Sequence, residues 1–264
     1  MNINKALPAL LATSSRDNAN AIINIDARAF LIVTFLYILS LLTLPLGNPS
    51  LVIWYAVYPV ILAPLCGFNY TDIFKKSLIV LPFVVLLGIF NPLYQKEIAF
   101  TVGNIPVSVG WLTFTTILLR ALFSMQALLI LILSQGFINI CNALGKLGVP
   151  KVLTVQLFFL YRYLWVLIDE TLIMKRSVES RGYGKKAYKI SFWTKFVGSL
   201  FLRTYERAKR IHNAMLARGF TGEIKMGKNI SWGKGDYLFI ITCLCLFIFL
   251  HFVDLSQIIF SNVA

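Results

Sequence analysis

Residues 29–71 read AFLIVTFLYILSLLTLPLGNPSLVIWYAVYPVILAPLCGFNYT, 43 consecutive uncharged residues bounded by Arg28 and Asp72. A helix that crosses a bilayer needs roughly 20 mostly apolar residues, so this run is long enough for two. Its turn cluster, Leu46-Gly47-Asn48-Pro49-Ser50, is where it divides, giving expected spans over 29–46 and 51–67. Moving outward with the charged residues as boundaries, a third span is expected from Ser77 to about Gln95 and a fourth from Trp111 to Gln135. The last runs from Tyr237 to Val253, interrupted only by His251. Between the third and fourth, Glu97 to Gly110 contains Thr101-Val102-Gly103-Asn104-Ile105-Pro106-Val107 and reads as a small extended hairpin. All five runs are too long and apolar for amphipathic surface helices.

Composition agrees with a membrane protein. Of 264 residues, 58% are hydrophobic and 14% charged, against about 45–50% and about 25% in soluble domains. Disorder is excluded by the apolar content, and a disulfide scaffold by four cysteines in so long a chain. The short apolar stretch Ala6 to Ala12 is followed by polar residues and does not read as a cleaved signal, so residues 1–28 are expected to be a cytoplasmic lead-in.

Lys plus Arg number 25 against 11 Asp plus Glu, and residues 151–228 alone hold 16 against 5. With five spans and the N-terminus inside, 23 of the 25 basic residues fall on the inner side, leaving Lys96 outside and Arg120 in the membrane. That orientation is the one favoured by the positive-inside rule. The run Val152 to Ile168 is nearly uncharged and long enough to suggest a sixth span. Spanning there would put Lys175 to Lys228 outside, so a helix at the inner membrane face or packed against other helices is preferred. The expected fold is an all-α polytopic membrane protein with spans over 29–135 and 236–254, a cytoplasmic coupling-helix domain over 136–235 and a tail over 255–264.

Within that domain, no Pro or Gly interrupts the chain after Pro150 until Gly182, which predicts one helix of about 30 residues, about 45 Å long, ending at Ser180-Arg181-Gly182. A second helical pattern places Phe196, Leu200, Phe201, Ala208, Ile211 and Met215 on one face, with Lys195, Arg203, Arg207, Lys209 and Arg210 largely off it. It ends at Ala217-Arg218-Gly219. Glycine past a helix end takes the left-handed conformation that stops it, and arginine in the last turn complements the helix dipole. That makes each Arg-Gly a routine cap. The alternative is that the guanidinium projects beyond the helix to pair with a partner's carboxylate; recurrence at two successive helices favours this.

Those residues carry a resemblance. Leu147-Gly148-Val149-Pro150, Tyr161-Arg162-Tyr163, Asp169-Glu170, Glu179-Ser180-Arg181-Gly182, Ser199-Leu200-Phe201-Leu202-Arg203, Glu206-Arg207-Ala208 and Met215-Leu216-Ala217-Arg218-Gly219-Phe220 resemble the transmembrane T component of energy-coupling factor (ECF) transporters, nearest the cobalt-type permease subunit. The resemblance covers about residues 25–225 and is specific in its last 80. It implies a scaffold in the cytoplasmic membrane whose cytoplasmic helices dock on two ABC-type ATPases and whose spans hold a separate substrate-binding membrane subunit. It also implies that two Ala-Arg-Gly motifs enter grooves of the ATPases. Ala217, Arg218 and Gly219 match the second in full; the first has Ser180 for Ala before Arg181 and Gly182.

Other chemistry is expected to be absent. There is no G-x-x-x-x-G-K-[ST] loop, and Gly182-Tyr183-Gly184-Lys185 lacks its spacing. ATP and its magnesium are therefore expected on the partner ATPases, with no cofactor on this chain. A metal site needs several ligands brought together, whereas His212 and His251 are isolated and Cys243 and Cys245 diverge on one helix, so a transported cobalt or nickel ion would bind elsewhere. Asp169 and Glu170 point apart on a helix, near Lys175 and Arg176, and read as structural ion pairs rather than as catalytic acids. Arg120 falls near mid-membrane, where a charge is expensive. Either it meets the substrate subunit or an internal carbonyl cluster, or the span shifts to 119–139 and Arg120 snorkels at the outer edge.

Three functions compete at this point: the coupling subunit of an importer, with cobalt, nickel or a vitamin as cargo; a membrane-anchored basic module for anionic lipid or nucleic acid; and an unrecognised membrane enzyme. The apolar stripe and acidic residues within 151–228 suit protein grooves better than a solvated phosphate-binding face. Nucleic acid is not an expected partner.

Overall fold

The computed structural model describes residues 25–45, 49–94, 98–102, 105–181, 190–222 and 232–252. They form two compact units, one of residues 1–143 with 228–264 and the other of residues 144–227.

In the first unit, α1 (Ala27–Thr43) starts where Asp26 caps it, the carboxylate accepting from the Arg28 amide at 3.1 Å. Phe30, Val33, Tyr37 and Leu41 recur at helical spacing and are buried. The second expected span is two helices, α2 (Pro49–Trp54) and α3 (Val57–Leu65). Pro59 explains the break: it has no N–H for the Tyr55 carbonyl four residues back. That oxygen instead accepts the Tyr37 hydroxyl at 2.9 Å, with a longer bond from the Tyr58 amide at 3.4 Å. In hydrocarbon an unsatisfied carbonyl costs several kcal/mol, so a tyrosine on α1 takes over a bond that α3 does not make.

The third run begins earlier than Ser77. Helix α4 (Tyr70–Ser77) leads through a 3-10 turn, Leu78–Val80, into α5 (Leu81–Gly88) and α6 (Phe90–Tyr94). Charge marks where hydrocarbon begins, not where a helix begins, so Asp72, Lys75 and Lys76 lie within α4. The tight turn sits before Pro82, which has no amide for the Leu78 carbonyl; the Leu81 amide closes on it. Strands β1 (Ile98–Val102) and β2 (Ile105–Ser108) then pair antiparallel, Val102 opposite Ile105, so the expected all-α chain carries one small hairpin. Helix α7 (Val109–Gln135) follows, crossing so near α5 that a Cβ on Gly88 would lie 2.7 Å from the Phe114 ring.

Helices α8 (Phe137–Lys146) and α11 (Lys234–Phe252) complete the described part of this unit, α8 running a few residues past it. On α11, Phe247 lies 5.5 Å from Tyr37, ring centre to centre, and Phe239 stacks on Phe30 at 5.8 Å. With Phe123, Ala127 and Ile130 of α7 these side chains make one continuous core. At one end, Asp236 accepts the Asp26 amide at 2.8 Å and the Gly233 amide at 2.9 Å, joining the start of α1 to the start of α11.

Among the described residues, Tyr70–Pro92, Val109–Gln135 and Lys151–Ser180 are long and apolar enough to cross a membrane, while Ala27–Thr43 and Pro49–Leu65 are apolar but shorter. The third of these, α9 (Lys151–Ser180), belongs to the second unit together with α10 (Ile190–Ala217). Only Thr154 and Met174 of α9 are buried, and no residue of α10 is.

Candidate functional site

The ends of α9 and α10 carry the arginines singled out in the sequence. Arg181 follows the last residue of α9, its amide donating to the Val178 carbonyl at 3.2 Å, and its side chain is exposed. Ser180, in the position where the motif has Ala, returns its hydroxyl to the Arg176 carbonyl at 2.9 Å. That satisfies the hydroxyl within the helix and leaves the arginine unencumbered. Gly182 and the basic connector after it lie outside the described residues.

The end of α10 is described in full. Gly219 has φ +77°, its amide donates to Leu216 at 2.9 Å, and the Phe220 amide donates to Met215 at 3.0 Å. These two bonds and the left-handed glycine make a Schellman closure. Met215 and Phe220 both turn to the groove between the two helices, and Phe220 meets Phe159 of α9 edge-on at 6.4 Å. The turn that ends the helix thus also anchors it to its neighbour, while Arg218 stays exposed just after Ala217. Neither Arg181 nor Arg218 forms an ion pair among the described residues.

A single carboxylate ties the helices together further along. Glu170 accepts Arg203 at 3.2 Å and Arg207 at 3.6 Å. The expected partners, Lys175 and Arg176, are not used: Lys175 pairs with Glu179 at 3.8 Å, one turn on. This also corrects the face of α10. Arg203, Arg207 and Arg210 line the groove beside Phe201, Ala208, Ile211 and Met215, with Arg207 half-buried. Periodicity counts Arg207 as outward because it is charged, but a carboxylate on the facing helix draws it in. Asp169 points outward and is exposed.

Arg120 lies 9% exposed on α7 in the first unit. Its Nη2 donates to the carbonyls of Leu44 and Pro45, the latter at 3.1 Å. Leu44 is the C-cap of α1, so the guanidinium sits just past the end of that helix, where the negative end of its dipole favours a cation. The guanidinium therefore meets backbone carbonyls of its own chain, one of the partners the sequence leaves open. Among the described residues no three His, Cys, Asp or Glu side chains gather as a metal site. His212 is exposed on α10.

The cobalt transport protein family, CbiQ, matches residues 18–228. The chain belongs to this family. Two uncharacterized proteins of Methanocaldococcus jannaschii are similar to it, one 29% identical over 176 residues (62% of this chain, 60% of the relative) and one 27% identical over 133 residues (49% and 48%). The chain therefore spans about half to three fifths of the length of these relatives. The energy-coupling factor transporter transmembrane protein EcfT of Leuconostoc gelidum subsp. gasicomitatum is 29% identical over 221 residues, 77% of this chain and 81% of its own. The CbiQ match takes in both α9 and α10 with their terminal arginines. Family membership and the apolar helices together make this a membrane protein of a transport system.

Proposed function

We propose that this CbiQ-family chain is the transmembrane coupling subunit of an ECF-type ABC importer, itself without catalytic activity. In this reading it links ATP hydrolysis on two partner ATPases, which hold ATP and magnesium, to uptake through a separate substrate-binding membrane subunit. The observation that carries it is the pair of exposed, unpaired arginines, Arg181 and Arg218, each at the end of a helix of 28 or 30 residues. An arginine held at a rigid helix end presents its planar fork to a carboxylate with little entropy left to lose. Movement imposed on Arg218 would pass through the Schellman turn to Phe220 and Phe159, and through Arg203 and Arg207 to Glu170. The two helices would then respond as one lever.

The family's description favours a cobalt or nickel ion as cargo, with no metal bound by this chain. The name of the Leuconostoc relative supports an ECF assembly and specifies no substrate, so a vitamin is the second reading. The charge distribution supports a cytoplasmic N-terminus in the inner membrane and five spans, over 29–46, 51–67, 77–95, 111–135 and 237–253, with α9 on the cytoplasmic side. The test is the double substitution Arg181→Glu with Arg218→Glu in the full assembly. Loss of ATP-driven uptake, or of ATPase co-purification, is expected; wild-type transport by that variant would sink the proposal.

A further inference from the structure

The groove between α9 and α10 is a cavity of about 770 Å³, within the range of about 300–1,000 Å³ that holds small ligands. One wall is a stripe of leucines on α9, Leu160, Leu164 and Leu167, which are 57%, 37% and 37% exposed. Ile211, Met215 and Phe220 continue the apolar lining from α10. Arg203, Arg207 and Arg210 recur at helical spacing along α10 and line the same groove. Against them stand two carboxylates. Glu170 is shared by Arg203 and Arg207, and Glu206 reaches Arg210 only at 4.0 Å with both side chains 71% exposed. A pair so exposed contributes little, so the arginine stripe keeps unspent positive potential in a segment already carrying 16 basic against 5 acidic residues.

We propose that this groove binds an anionic lipid, the acyl chain lying along Leu160, Leu164 and Leu167 and the phosphate headgroup meeting the arginine stripe. The two halves of the site decide the occupant. The leucine stripe offers free phosphate nothing, and a stripe of arginines offers less to a zwitterionic headgroup, whose own cation opposes it, and nothing to a neutral one. An anionic phospholipid matches both, as basic amphipathic surfaces do at anionic leaflets. Helix α9 adds a second argument: it is apolar enough for hydrocarbon, yet Thr154 and Met174 are its only buried residues. The chain is a membrane protein, so lipid is always within its reach. The inference does not depend on the coupling role.

The test is lipid retention by the full-length protein in detergent, read by native mass spectrometry with phosphatidylglycerol or phosphatidylcholine of identical acyl chains. Wild type is expected to retain phosphatidylglycerol preferentially. Replacing Arg203, Arg207 and Arg210 by Gln should lower that retention by roughly fivefold per arginine, the weight of one basic residue at an anionic surface, and leave phosphatidylcholine unchanged. Glu170→Gln should raise phosphatidylglycerol retention, because it releases two arginines to the headgroup; a merely structural ion pair would not do so. Leu164→Gln should lower it with all charges in place, which keeps the site testable if the triple variant unfolds. Equal retention of the two lipids, or a helical triple variant that still prefers phosphatidylglycerol, overturns the proposal. So does displacement of the lipid by inorganic phosphate, or a groove that holds no lipid and is covered by a co-purified subunit.

Discussion

The unit of residues 1–143 with 228–264 and the unit of residues 144–227 bury their apolar side chains to very different extents. In the first, side chains from α1, α2, α3, α7 and α11 close on one core, and Tyr37, Tyr55 and Leu41 are completely enclosed. In the second, two helices of 30 and 28 residues meet along a groove; Thr154 and Met174 are the only buried residues of α9, and α10 has none. The polar contacts differ in the same way. Arg120 and Tyr37 satisfy backbone carbonyls inside the first unit, whereas Glu170 and its arginines are partly solvated. The first unit therefore closes a core of its own, although side chains such as Ile79 and Phe83 stay exposed on its outside. The second has no comparable core.

The largest effect expected from that contrast is functional. Arg181→Glu with Arg218→Glu changes two exposed side chains that form no ion pair among the described residues, so uptake should vanish while the melting temperature of the purified protein stays within a degree or two of wild type. Next comes Arg120→Met, which strips the Leu44 and Pro45 carbonyls of their donor. Leaving the buried Leu44 acceptor bare should cost about 1–3 kcal/mol, measured by denaturant unfolding in micelles. Tyr37→Phe removes one hydroxyl from the Tyr55 carbonyl and should cost about 1–3 kcal/mol in the same assay. Gly219→Ala forces a Cβ into the left-handed region at φ +77° and should cost about 1–2 kcal/mol. Its loss should be local, seen as faster amide exchange at 219–220. The smallest effect belongs to Glu170→Gln, below about 1 kcal/mol. If it cost as much as Arg120→Met, the distinction between a closed and an open unit would fail.

Much of this arrangement was legible in the sequence, for reasons that vary by residue. Helix α9 could be bounded because no Pro or Gly interrupts it between Lys151 and Ser180. The closure at Gly219 was legible because a left-handed glycine after a last turn is a local signal. The break before Pro59 is not legible from hydropathy, which averages over the proline. Arg207 reads as outward because its partner Glu170 lies 37 residues earlier on another helix. Arg120 has its partners, the carbonyls of Leu44 and Pro45, some 75 residues away, beyond the reach of any local pattern. What pattern reading lacks in each case is the partner across space, and in a membrane protein polar partners are few enough that each one matters.

The bond from the Asp26 amide to Asp236 joins residues 210 apart in the chain. During synthesis at about 5–20 residues per second, α1 leaves the ribosome roughly 10–40 s before the helix that completes its packing. Until then the face bearing Phe30 and Tyr37 lacks Phe239 and Phe247, its stacking partners on α11. Helix α1 is thus made long before the packing that completes it, and its apolar face must be sheltered by lipid or by the insertion machinery while the intervening chain is translated.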